Sequence, residues 1–147
     1  MSDFDTIQAN LAGRIRTVSG FTVDNVLEYD NRALAKGPTR AVVLNFGAYH
    51  KIFTSFRNAT REWMIHIDLY ERWTGQQDGA LANMTTDRQS IIDVVDQWPY
   101  LNNTADVYRV EIMSAGPIDT FTVGRTGYIR QRLVCRVREH PAITTLE

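Results

Sequence analysis

Glu62-Trp63-Met64-Ile65-His66-Ile67-Asp68-Leu69-Tyr70-Glu71-Arg72-Trp73 is written with a two-residue period. Trp63, Ile65, Ile67, Leu69 and Trp73 fall on one face; Glu62, Met64, His66, Asp68, Tyr70 and Arg72 fall on the other. Successive side chains of a strand point to opposite sides, so this run reads as a half-buried β-strand. Gly127–Glu139 repeats the pattern, with Ile129, Leu133, Cys135 and Val137 opposed to Tyr128, Arg130, Arg132, Arg136 and Arg138. Ordinary strands run to roughly 5–6 residues. At about 3.3 Å per residue, each of these spans roughly 40 Å, and must bend or project toward a neighbouring subunit.

Outward from these strands, Phe4, Ile7, Leu11, Ile15 and Val18 recur at helical spacing and predict an amphipathic helix over 2–18, capped by Ser2 and stopped at Gly20. A short extended piece is expected at 21–27, then a loop over 28–39 that holds Gly37-Pro38. Arg40–Phe46 and Lys51–Arg57 read as a strand pair turned at Gly47-Ala48-Tyr49. A loop is expected over 74–83. A second helix should begin near Thr86, whose Thr86-Asp87-Arg88-Gln89 has capping-box form, and end at Pro99. Val107–Met113 reads as a strand, followed by a polar loop to Gly124 with a small extended segment at 121–123.

Strands joined by short turns pair antiparallel. The expected fold is therefore α+β: an antiparallel or mixed sheet of about five strands, two of them long, with helices packed on one face. At 147 residues the chain fits a single domain, 1–147. Its core should be Phe4, Ile7, Leu11 and Ile15, then Ile91, Val94, Val95 and Trp98, and Trp63, Ile65, Ile67, Leu133, Cys135 and Val137 from the long strands.

Hydrophobic content of 44% and charged content of 22% are ordinary for a globular protein. A formal net charge of −1 argues against a general binder of nucleic acid or membrane surfaces. Of 16 basic residues only Lys36 and Lys51 are lysine. That bias suits interfaces, because arginine makes planar bidentate contacts; a GC-rich genome gives the same bias. Met1–Asp5 is acidic with no apolar run after it, and no stretch has the length of a membrane span. The chain is expected in a cytoplasm or in a particle assembled there.

No catalytic, metal-binding or cofactor-binding set emerges. Cys135 is the single cysteine and lies on an apolar strand face, where a thiol is a small hydrophobe. His66 and Asp68 share a strand face with Tyr70 and lack a third ligand or a nucleophile at useful spacing. Gly124-Arg125-Thr126-Gly127 has neither the spacing nor the lysine of a phosphate loop. A less favoured alternative is a small α+β-barrel enzyme or ligand-binding protein, with a pocket between sheet and helices that uses His66, Asp68 and Tyr70.

The concentrated charge feature is Arg130, Arg132, Arg136 and Arg138, aligned over about 25–30 Å of one strand face. Such a stripe either meets an acidic partner or is a solvated face that discourages aggregation. Glu62, Asp68 and Glu71 of an adjacent subunit are candidate counter-charges. Protein carboxylates suit it better than DNA, since the whole chain carries no positive excess.

The layout resembles the tail terminator (tail completion) proteins of long-tailed bacteriophages and related tailed particles. An N-terminal amphipathic helix precedes a loop, two short strands and the long strand ending Tyr70-Glu71-Arg72-Trp73. Then come a Gly-containing loop, the helix with Ile91-Ile92-Asp93-Val94-Val95-Asp96, the extended Pro99-Tyr100-Leu101 and an Arg-rich last strand. The resemblance implies a non-enzymatic virion protein forming a ring, usually a hexamer, on the head-proximal end of the tail tube. Such a ring stops tube polymerisation and joins tail to head. Its implied partners are other copies of itself, the tail tube protein and a head-closure or connector protein. DNA passes through the lumen without specific binding. A head-closure (stopper) ring protein is the alternative within this group, a class that tends to be more purely β.

Overall fold

In a computed structural model the described residues are 4–28, 34, 37–53, 59–73, 77–97 and 107–139. They form helix α1 (Phe4–Ile15), strands β1 (Val26–Glu28), β2 (Arg40–Phe53) and β3 (Ala59–Arg72), helix α2 (Gln77–Asp96), and strands β4 (Val107–Val123) and β5 (Thr126–Glu139). The five strands make one sheet in the order β1-β2-β3-β5-β4. β1 pairs parallel to β2, and every other pairing is antiparallel. The α+β class and the mixed sheet with its long strands are as the alternation predicts.

Both helices lie on one face, because each presents an apolar stripe that water rejects. From α1 come Ile7, Leu11, Ala12 and Ile15; from α2, Ala80, Met84, Ile91 and Val95. They close over Val42 and Leu44 of β2, Ile65, Ile67 and Leu69 of β3, Val107 and Val110 of β4, and Ile129, Leu133, Cys135 and Val137 of β5. Phe4, Trp63 and Val94, expected in this core, are partly buried at its margin. Trp98 lies outside the described residues, as do Ser2 and Pro99. One polar side chain ties the layers together: Gln8 is buried and donates from Nε2 to the Leu44 carbonyl at 2.9 Å.

A smaller cluster sits on the opposite face, where Leu34, Ala41, Val43, Tyr70 and Tyr128 pack together. The Tyr128 hydroxyl is 3.0 Å from the Leu34 carbonyl and 3.2 Å from that of Pro38, fastening the β1–β2 connection to the sheet. A parallel neighbour cannot be reached by a tight turn, so this connection is the longer one.

Three elements differ from expectation. Gly47 is not a hairpin turn: β2 runs straight through it, with the pairing to β3 slipping by one residue between Phe46 and Ala48. A Cβ on Gly47 would lie 2.8 Å from both His66 Nε2 and the Met64 carbonyl, so the glycine permits a close strand approach at the bulge. β4 likewise passes through the expected polar loop, absorbing Gly116-Pro117 in a register shift between Ala115 and Ile118. Proline is tolerated there because β4 is an edge strand.

Finally, α2 starts at Gln77, so 77–83 is helix and not loop, and Thr86 is not its cap. The Thr85 and Thr86 hydroxyls donate to the carbonyls of Leu81 and Ala82, four residues back, and Asp87 turns inward.

Candidate interaction surface

β5 lies between β3 and β4, and its arginines stand on the face away from the helices. Each is directly opposite a carboxylate, on alternate sides. Arg130 faces Asp119 of β4, Arg132 faces Asp68 of β3, Arg136 faces Glu111 of β4, and Arg138 faces Glu62 of β3. Arg132 grips Asp68 through Nε at 2.8 Å and Nη2 at 3.1 Å; Arg130 holds Asp119 at 3.1 and 2.8 Å. Arg138 Nε reaches Glu62 at 3.1 Å, and Arg136 binds Glu111 Oε1 through Nε and Nη2. Arg109 adds a second cation to Glu111 at 3.2 Å.

The carboxyls respond accordingly. Hydrogen bonding from Arg130 holds Asp119 below the usual carboxylate range, and Arg136 does the same to Glu111. Five guanidinium groups meet four carboxylates, so the ladder carries little net charge. The acids offered above to a neighbouring subunit are, for Glu62 and Asp68, engaged by arginines of their own chain. Glu71 is elsewhere: it is 3% exposed beneath α2, on the helix-facing side.

The pocket imagined around His66, Asp68 and Tyr70 does not form between sheet and helices. All three face the other way. Asp68 is held by Arg132 and lies 3.4 Å from Asn45 Nδ2, and Tyr70 is buried among Tyr128 and Phe121. His66 is pushed below its ordinary range by burial and then by the nearby Arg132, against a smaller opposing pull from Asp68. Among the described residues no three His, Cys, Asp or Glu side chains gather as metal ligands.

Comparison with known proteins finds no matching family model and no matching curated sequence.

The second part of the surface follows from the bulge at Gly47. Beyond Arg61, where β5 ends opposite it at Glu139, β2 and β3 stay paired through Ile52 with Thr60 and Phe53 with Ala59, the last described residues at that end. At the root of this end is an aromatic stack. Tyr49 lies 4.5 Å from Trp63, Phe4 lies 5.2 Å from Phe46 and 5.8 Å from Trp63, and the Arg61 guanidinium covers Tyr49 and Trp63 at 5.7 Å each. Trp63 Nε1 and Arg61 both reach the buried Glu139 carboxylate, which anchors the stack to the end of β5. Within the stack Phe46 is 49% exposed, and outward from it Ile52 is 45% and Phe53 72% exposed. A one-residue slip of alternation at an isolated glycine is the sequence mark of a bulge. With that slip, Tyr49, Lys51 and Phe53 share the face of Val42, Leu44 and Phe46, and Ile52 stands on the other.

Among the described residues no helix is long and apolar enough to cross a membrane.

Proposed function

We propose that this chain is a structural ring protein of a tailed particle, a tail terminator that caps the head-proximal end of the tail tube and joins tail to head. The observation that carries the reading is the outer end of the β2–β3 pair, where Phe46 and Phe53 on one face and Ile52 on the other are exposed to solvent. Large apolar side chains exposed together on a small protein mark a contact surface. A patch on one end of a subunit that docks to a different patch on the next is a head-to-tail contact, which closes into a ring when the rotation allows. The hexamer, the tube partner and the connector partner come from the resemblance in layout. The two-helix layer favours a terminator over a stopper ring, since that class is more purely β.

In this reading the arginine ladder is a rigid, nearly neutral wall. Its internal pairs leave weak attraction for phosphate, which suits DNA passing without being held. The test is the variant Ile52→Ser with Phe53→Ser, two exposed positions remote from the core. Light scattering and negative-stain microscopy, with and without the tube protein, should find a ring for the parent chain and a monomer of unchanged melting temperature for the variant. A parent chain that stays monomeric at every concentration and leaves tube length unchanged would overturn the proposal.

A further inference from the structure

Two carboxyl groups stand where both elements' patterns call for apolar side chains, and the fold brings them together. Along α2 the buried stripe Ala80, Met84, Ile91 and Val95 includes Asp87, 5% exposed; along β3 the buried alternation Ile65, Ile67, Leu69 continues to Glu71, 3% exposed. The two lie near enough for Asp87 to act on the Glu71 carboxyl, through hydrogen bonding and like charge. Arg40, the cross-strand neighbour of Glu71, donates from Nη1 to Asp87 Oδ1 at 3.1 Å. Asp87 Oδ2 is buried and meets no N–H or hydroxyl donor.

Among the described residues the other nearby cations have partners of their own. β5 presents Ile129 opposite Glu71, and then Gln131, whose Oε1 takes Arg88 of α2 at 2.9 Å. Arg72 donates to the Gly37 carbonyl, and Arg40 also rests over the Phe21 ring. Two acids, each almost without exposed surface, therefore stand beside one guanidinium. A buried carboxylate without a partner is costly enough to take up a proton instead.

We propose that Glu71 and Asp87 hold a single proton between them, and that this acid–carboxylate hydrogen bond is a latch fastening the N-terminal half of α2 to the sheet. The proton sits on Glu71 and points at Asp87, supplying the donor that Asp87 otherwise lacks. Burial first, and then Asp87, raise the Glu71 carboxyl well above its ordinary range, with Arg40 opposing. A cavity of about 310 Å³ lies alongside, lined by Thr39, Arg40, Glu71, Arg72, Gly79, Ala80 and Asn83. Loss of the proton places two like charges against each other and admits water through that cavity. The same residues carry the latch whether the chain is alone or in a ring.

The direction of the pH effect follows. Unfolding releases the proton at any pH above the ordinary glutamate range, so stability is full below that range. It falls as pH rises toward the raised native value, by up to about tenfold in the folded-to-unfolded ratio per pH unit. Hydrogen exchange and thermal melting from pH 5 to pH 10 test this, using the parent chain and Glu71→Gln, which keeps a donor and removes the titration. The parent should lose protection over 77–87 as pH rises, beyond the intrinsic rate change, while Glu71→Gln stays flat. If Glu71→Gln does not fold, a carboxyl carbon titration by NMR on the parent chain should still find Glu71 protonated at pH 7. An ionised Glu71 there, an equal alkaline fall in Glu71→Gln, or recovery of protection at pH 9 on adding calcium would each overturn the latch.

Discussion

Arg132→Gln is the sharpest test of the ladder, because its two partners live in different environments. Asp68 is 2% exposed, whereas the Arg132 side chain is 47% exposed. The substitution removes contacts at 2.8 and 3.1 Å and leaves Asp68 with Asn45 at 3.4 Å, beyond good hydrogen-bond length. Breaking a fully buried pair costs roughly 3–5 kcal/mol. Here the cation is half in water, and exposed pairs are worth only about 0–1 kcal/mol. Between these limits we expect a loss of about 2–3 kcal/mol in urea denaturation, or about 5–10 °C of melting temperature for a chain of this size. Asp119→Asn is the control: that acid's side chain is 51% exposed, so its loss should cost about 1 kcal/mol or less. Adding Asp68→Asn to Arg132→Gln should recover most of the stability, since the cost is an orphaned charge. Equal effects of Arg132→Gln and Asp119→Asn, or no recovery in the double variant, would refute this account.

Leu11→Ala and Ile67→Ala, both at fully buried sites, should each lose about 2–5 kcal/mol in the same assay. Burial pushes the Cys135 thiol up to about 12, so a disulfide reagent should react with it only at the rate of unfolding; rapid labelling of folded protein would contradict this. Tyr128→Phe frees the Leu34 and Pro38 carbonyls and should cost about 1–2 kcal/mol, with faster amide exchange at Gly37, which bonds to Leu34. Gly47→Val should displace His66 and cost about 1–3 kcal/mol by overpacking the bulge, read as a drop in melting temperature.

Period-two alternation carried β3 and β5, and helical spacing carried α1, because those elements bury one face that is apolar but for single polar residues, Glu71, Gln131 and Gln8. Where an interruption occurs, local reading fails for a definite reason. Gly47 and Gly116-Pro117 carry turn chemistry, yet neighbouring strands hold the backbone extended through both. Thr86 has the form of a cap, yet Ala80 and Met84 have sheet beneath them, so burial extends the helix upstream. In the candidate surface, the arginine stripe was legible from residue spacing alone. Glu62 and Asp68 were expected as counter-charges from a neighbouring subunit; their pairing within the chain, and the parts of Asp119 and Glu111, were not legible, since the four acids lie 76, 64, 11 and 25 residues from their partners.

By itself, then, the sequence determined the α+β class, the faces of the two long strands and the apolar stripe of the first helix. These follow from backbone periodicity and the insolubility of apolar side chains, both local properties. Only the tertiary structure decided that the arginines are neutralised within the chain, that Glu71 and Asp87 are both buried beside Arg40, and that β2 runs through Gly47 to pair with β3 as far as Phe53. Each of those depends on strand register. A shift of one residue at Gly47 changes which side chains share a face, and no local signal sets the pairing of strands so far apart in the chain.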